Sequence, residues 1–391
     1  MKSFPLYLLV LLITPFAALA QTTIAPSWQK QMNDFEQASQ RQANNDYKVF
    51  RQMAMYDHNE QPASTKAVND QNENFTKTTH HSSEVSNTSL FESDSIILVN
   101  ESNYSATNIL KELEQHNQQI VQAALKKEVA QRISLFNQNP ICMPEHQVSM
   151  QGVDHLQKYY QTIFERQNLS KYERKTAKIY IINNRVIELG NFIKVGVNNA
   201  DRTNFSHQGK FFNVWTVDEV GQLELAVETW NYNQHIKDIP FLLVDIPTAK
   251  DHGIFEVQKY LNAQQIAAIK EIQIGMRAGV SKRDGKLRAT FYHDDAIFMP
   301  HNEPMMIGKA QILEHLIAYN SGDVIINKVD VGVNWSENLG NYILQSSNYY
   351  VEWQVDDHQG IGKGKGMRIW RKTPNGKQKI LVQIALSDYM E

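Results

Sequence analysis

The chain says nearly the same thing twice, and a duplicated sequence constrains it to fold the same way twice. Residues 136–160 read "FNQNPICMPEHQVSMQGVDHLQKYY" and residues 292–316 read "YHDDAIFMPHNEPMMIGKAQILEHL", with Ile-Cys-Met-Pro over Ile-Phe-Met-Pro. At this shift of 156 positions, Arg132 meets Arg288, Met143-Pro144 meets Met299-Pro300, and Gly152 meets Gly308. Upstream, Leu110, Leu113, Ile120, Ala124 and Ile133 share slots with Ile266, Ile269, Met276, Val280 and Ala289, at the spacing of an amphipathic helix. At a shift of 150, "ELGNFI" (188–193) lies over "NLGNYI" (338–343); at 155, Gly209-Lys210, Trp215 and Gly221 lie over Gly364-Lys365, Trp370 and Gly376. Changing offsets mark loop insertions between preserved elements of a unit of roughly 130 residues, the size of one domain.

Each copy has the same order of elements. A long helix (108–136 in the first copy) leads to an extended segment ending in Met-Pro, then to a loop closing at a glycine and a second helix, "KAQILEHLIAY" (309–319) in the second copy. Four strands follow, at 326–337, 340–357, 365–373 and 378–389. "TPNGK" (373–377) reads as a hairpin turn, and the alternation of Ile380, Val382, Ile384 and Leu386 implies one buried face. Helices followed by an antiparallel sheet make an α+β plan. The expected division is a leader at 1–20, a helical and low-complexity region with linker at 21–104, a first domain at 105–235, a connection at 236–261 and a second domain at 262–391.

The remaining regions set outer bounds. Lys2, the apolar "LYLLVLLI" (6–13) and "ALA" before Gln21 read as an export signal, with a periplasmic or secreted protein expected; the apolar run falls short of the roughly 20 residues of a spanning helix. Residues 27–57 carry helical spacing, and 58–95 have a linker's composition, with His80 and His81 inside it. A net charge of −3 argues against nucleic acid or an anionic membrane as partner. With the single Cys142 no intrachain disulfide can form, and its slot, Phe298 in the other copy, marks it as a core residue.

On these residues, "YHDDAIFMP" with "IGKAQI" and then "RIWRKTPNGKQKILVQIALSDY", the chain resembles the NTF2-like superfamily, in particular its SnoaL-like and DUF4440-type members. The resemblance covers 262–389 more closely than 106–233, because the first copy has Asn137, Gln138 and Asn139 where the second has His293, Asp294 and Asp295. It implies two tandem cone-shaped domains, each a curved antiparallel sheet wrapped around helices with a pocket at the open end. Since such domains often dimerise through the sheet, it also implies a pseudo-dimer within one chain. The ketosteroid-isomerase branch has a general-base Asp before the proline; Met143 and Met299 stand there, and a thioether takes no proton.

Several residues are candidates for chemistry. His301 with Glu303 could trade protons near neutral pH, and Glu145 and His146 occupy the matching loop; the alternative is a solvated loop. Tyr292, Met299, His301, Trp335, Tyr350, Trp353 and His146 are the expected lining of a ligand pocket, although Tyr349 and the other strand aromatics could equally be core packing, as expected for Trp215 and Trp370. Asp294 and Asp295 read as capping or turn residues. Glu228 corresponds to Gln383 and Trp230 to Ala385, so the two pockets are not equivalent. "GIGKGKG" (360–366) lacks the Ser or Thr of a phosphate loop and reads as a flexible hairpin. No metal motif and no cofactor fingerprint is present, and none is expected. The function expected is binding of a small apolar or amphipathic molecule; a cofactor-free lyase, isomerase or hydrolase and a non-catalytic interaction scaffold stand beside it.

Overall fold

The structure, a computed structural model, describes residues 96–246, 257–259 and 261–388, all within one compact body. The leader, the helical spacing at 27–57, the linker at 58–95 and His80 and His81 lie outside the described residues. The first repeat runs β1 (Ile97–Glu101), α1 (Ala106–Lys126), α2 (Val129–Ile133), β2 (Phe136–Pro144), β3 (Met150–Gln151), α3 (Val153–Arg166), β4 (Gln167–Ile182), β5 (Arg185–Asn198), β6 (Asn204–Val217) and β7 (Leu223–Tyr232), with a short α4 (Ile239–Leu242) after it. The second runs β8 (Val257–Lys259), α5 (Ala263–Ser281), α6 (Gly285–Thr290), β9 (Tyr292–Met299), β10 (Met306–Ile307), α7 (Lys309–Tyr319), β11 (Ile325–Leu339), β12 (Tyr342–Val355), β13 (His358–Lys372) and β14 (Gln378–Ser387).

Both sheets have the same strand order, β1-β4-β5-β6-β7-β2-β3 and β8-β11-β12-β13-β14-β9-β10. The α+β class and the tandem cones are as expected. The sheets are antiparallel except where β1 meets β4, β2 meets β7, β8 meets β11 and β9 meets β14 in parallel.

The long helix expected over 108–136 is two helices. Lys127 turns left-handed at φ 61° and its N–H closes on the Ala123 carbonyl, so α2 leaves in a new direction; Arg283, φ 53°, marks the same break after α5. Ser105 caps α1, accepting from the Asn108 amide, and Asn262 and Gln265 form a reciprocal capping box on α5.

Three apolar clusters hold the body together. One fills the first repeat between α1, α3 and its sheet, with Leu113, Ile120, Leu156 and Trp215. Another fills the second repeat, with Ile312, Leu316, Ile343 and Trp370. The third lies between the sheets, where Met143, Leu189, Phe212 and Val214 meet Met299, Leu344, Ile369 and Leu386. Each sheet therefore covers the outer face of the other, and the strands at this seam are buried on both faces. On β14 the register shifts between Ile380 and Val382, sending Ile380 into the cone and Val382, Ile384 and Leu386 to the seam. The single buried face expected there is two, because the bulge reverses the alternation.

Three other expectations change. "GIGKGKG" lies inside β13, and the chain reverses before it, where Asp356 has φ 50°. Alternate glycines are needed because the Trp353 ring lies over Gly360 and the Tyr349 ring over Gly364, where a Cβ would collide with them. Asp294 and Asp295 are strand residues paired with Lys309 (3.6 Å) and Arg371 (2.6 Å), not caps or turns. The shift of 150 over "ELGNFI" also misaligns the copies. Trp215 Nε1 donates to Glu188 and Trp370 Nε1 to Gln345, so Glu188 and Gln345 share a slot, while Gly340 sits in the hairpin turn at φ 80°.

Gly308 enters α7 at φ 87°, ψ 146°, as Gly152 enters α3 at φ 89°, ψ 153°. Only glycine adopts this region without strain. Gly308→Val is expected to cost about 1–3 kcal/mol, read as a lower thermal midpoint; an unchanged midpoint would show that the entry to α7 is not held in this conformation.

Candidate functional site

The first repeat encloses a cavity of about 40 Å³ between α1, α2, α3 and the concave face of β4, β5 and β7. Tyr159, Tyr160, Phe164, Tyr172, Phe192 and Trp230 supply its aromatic walls, and Arg132, Arg174, Lys194 and Glu228 its charges. That volume holds a water or two, or the head of a small molecule whose body continues to the half-buried Ile163 and Leu169.

Arg132 on α2 is 2% exposed and lies between the Phe136 and Tyr160 rings, 4.7 and 4.6 Å from their centroids. Its Nη2 donates to Glu228 Oε2 on β7 and, at 3.0 Å, to Tyr160 Oη, while Tyr160 donates to the same Oε2. Burial works against the guanidinium charge, but Glu228 together with Tyr160, Tyr172 and Cys142 more than offsets it and raises the pKa. Burial pushes the Tyr160 phenol well up. Arg132 Nη1 is sealed from solvent and has no partner, and Glu228 Oε1 accepts no hydrogen bond.

On β4 the period of two brings Tyr172, Arg174 and Thr176 to one face. Arg174 lies 3.9 Å from the Phe211 ring centroid, donating through Nε to Asn117 Oδ1 (2.8 Å) and through Nη1 to Tyr172 Oη (3.1 Å); Nη2 is sealed without a partner. Behind it the fully buried Glu188 accepts from Asn117, Thr176, Asn213 and Trp215. Four donors are what a buried carboxylate requires. Lys194 on β5 holds its ammonium 4.8, 5.3 and 5.5 Å from the Tyr172, Phe192 and Trp230 centroids, with no carboxylate beside it. Burial would raise the Tyr172 phenol, yet Arg174 and Lys194 outweigh it and lower the pKa. Because Tyr172 Oη accepts from Arg174, its proton is free to donate to a ligand.

The residues picked out in the sequence lie elsewhere. His301 and Glu303 do not pair: His301 Nδ1 is 3.0 Å from Ser387 Oγ, and Glu303 Oε2 is 2.9 Å from His315 Nδ1. Tyr292 and Trp353 face the interior of the second repeat, Tyr292 donating to Gln383 Oε1 at 2.9 Å. Met299 is in the seam core, and Trp335 packs against it. Tyr350 points outward between Lys328 and Lys363, where Tyr349 is the inward neighbour.

His146 sits at φ 67° where the repeats meet, its ring 6.2 Å from Tyr232, in a buried polar group with Glu145, Lys210, Lys365 and Asp388. Burial, then the His301 charge, holds His146 near 4; burial, then Lys210, holds His301 near 4. Burial lifts Glu145 to about 8 and lowers Lys210 to about 7.

Of the first-repeat cavity, the sequence indicated Glu228 and Trp230, through their different counterparts, and Arg132 through its identical one. Tyr172, Arg174 and Lys194 were missed because charged residues on alternate strand positions read as a solvated face. Among the described residues no cluster of metal-ligating side chains occurs, and no helix is long and apolar enough to cross a membrane.

No known protein family matches the sequence, and no curated protein does. Solved structures do show a likeness. A ketosteroid isomerase-like protein from Erwinia carotovora atroseptica SCRI1043 is 13% identical over 33% of this chain and 100% of its own, with a TM-score of 0.30. An NTF2-like protein from Cytophaga hutchinsonii ATCC 33406 is 16% identical over 32% of this chain and 99% of its own, TM-score 0.26. An NTF2-like protein of unknown function in nutrient uptake from Rhodospirillum rubrum ATCC 11170 is 18% identical over 31% and 98%, TM-score 0.27. Each likeness spans about a third of this chain and carries nothing about activity.

Proposed function

We propose, from the premise that both repeats have the NTF2-like fold, that the first repeat is a binding site for a small molecule with a flat apolar body and an acceptor oxygen, best a carboxylate. One observation carries this reading: an aromatic cavity in which Arg132 Nη1 and Arg174 Nη2 are sealed without acceptors, with the Tyr172 hydroxyl and the half-buried Lys194 ammonium beside them. Buried donors without acceptors are costly, and an anionic head would satisfy them. The reading takes the protein to be exported, on the leader-like residues 1–20.

The test is calorimetric titration with short carboxylates, acetate to butyrate, against the matching amides. The acids should bind at least tenfold more tightly, and Lys194→Met should remove most of the difference. Equal binding of acid and amide, or an unaffected Lys194→Met protein, would overturn the reading. A second reading is favoured by Glu228 Oε1, which faces the same cavity as the Tyr172 proton, so that one group could accept and the other donate during an isomerisation or elimination. Turnover lost in Tyr172→Phe with binding retained would select it.

A further inference from the structure

The two repeats treat the equivalent arginine differently. Sheet register places Glu228 opposite Asn213 on β6 and Gln383 opposite Arg368 on β13, and the tryptophan bonds place Glu188 with Gln345. In the first repeat Arg132 has Glu228, and Glu188 lies one layer away. In the second repeat Arg288 keeps the arginine slot, both carboxylates have become glutamines, and a further cation, Arg368, stands where Asn213 was.

Arg368 is 8% exposed; its Nη1 donates to Ser347 Oγ at 2.9 Å and its Nε is sealed without a partner. Arg288 runs across α5 where Gly279 leaves room, its guanidinium 5.8 Å from the Tyr319 ring and its Nη1 also sealed and unpartnered. The two cations lie within electrostatic reach of each other and of Tyr292, and no carboxylate among the described residues pairs with either. Burial holds both guanidinium pKa values down. Two like charges, Arg368 buried and Arg288 half-buried, without a counterion are costly unless something outside the chain supplies one.

The wall beside them is apolar and half-buried. From Ser347, β12 sends Tyr349, Val351 and Trp353 inward, and β11 sends Val333, Val331 and Val329. Over the alternate glycines of β13 the Tyr349 and Trp353 rings lie flat, making a smooth surface. Six residues at ~3.3 Å each extend it about 20 Å from the arginines, ample for an eight-carbon acyl chain of roughly 10 Å.

We propose that the second repeat holds an amphipathic carboxylate, its head between Arg288 and Arg368 where Glu228 stands in the first repeat, and its apolar chain along β11 and β12. The ligand carboxylate completes the ion pair that the chain completes for itself in the first repeat. This site is independent of the first-repeat cavity.

Octanoate and 1-octanol are titrated into the full-length protein by calorimetry and thermal shift. Octanoate should bind saturably, at least tenfold more tightly than octanol, and raise the unfolding midpoint by several degrees. Gln383→Glu rebuilds the Arg132–Glu228 arrangement in the second repeat. It should raise the ligand-free midpoint and weaken octanoate at least tenfold. Arg368→Met should weaken octanoate equally without lowering the midpoint, and Lys194→Met should leave octanoate binding unchanged. The proposal is overturned if octanoate gives no saturable effect, if octanol binds as well, or if octanoate binding survives both Gln383→Glu and Arg368→Met. Loss of octanoate binding in Lys194→Met would assign the effect to the first repeat and likewise overturn it.

Discussion

Glu228→Gln in the first repeat is expected to destabilise the protein by about 3–5 kcal/mol, a fall of order 10 °C in its thermal midpoint. The substitution changes no volume, so it removes charge alone. Arg132 is 2% exposed, with its charge held by Glu228 Oε2 between two aromatic rings. Removing one partner leaves a guanidinium without a counter-charge in a low-dielectric site closed to bulk solvent. The double variant Arg132→Met with Glu228→Gln should recover most of the loss, because an apolar side chain of similar length replaces a pair whose desolvation was already costly. A midpoint unchanged in Glu228→Gln alone would mean that the cavity admits enough water or anion to solvate Arg132. Arg288 beside Gln383 would then need no ligand anion, since the second repeat carries this arrangement naturally.

Acid should unfold the protein unusually early, with stability falling by about 3 kcal/mol between pH 6.5 and 4.5. His146 and His301 are held near 4 in the fold against 6.5 when unfolded. Their stability is therefore fully present above pH 6.5 and is lost as pH falls toward 4, because only the unfolded chain takes up the two protons. Glu145 acts in the opposite sense. Held at about 8 against 4.5, it carries a proton in the fold that the unfolded chain has released, which favours the fold increasingly as pH falls from 8 to 4.5. Lys210, near 7 in the fold, contributes above pH 7 and not in this window. Two protons against one leave a net uptake of one on unfolding, about 1.4 kcal/mol per pH unit. His116, His293 and His315, also lowered by burial, add to the same sign. Urea midpoints across this range check the slope, and His301→Gln should make it markedly shallower. A wild-type profile level from 6.5 to 4.5 would mean that the two histidines are open to water in solution.

Much of the fold could be read from the chain because the duplication samples each element twice. Where Leu113 and Ile269, or Trp215 and Trp370, occupied one slot, both proved to be core, and the hairpin at 373–377 is closed by Thr373 and Lys377 around Gly376 at φ 85°. The structure departs from the sequence pattern where a local signal has two tertiary meanings. Alternate glycines in β13 look like a flexible loop until the rings that cover them are known. Ile380 and Val382 look like one face until a bulge separates them. His301 and Glu303 look like a pair by proximity in sequence, yet each turns to a residue from another element, Ser387 and His315.

The sequence by itself determined the α+β class, the repetition and the inequivalence of the two interiors, since periodicity and substitutions such as Glu228 against Gln383 are properties of a single strand of text. Only the tertiary structure decided which charges face one another. Arg132 and Glu228 are 96 residues apart and Arg288 and Gln383 nearly as far, and β-sheet register brings one pair together as an ion pair and leaves the other arginine without a carboxylate. Coulomb energy depends on distance and burial, and both are set by the strands that close each cone.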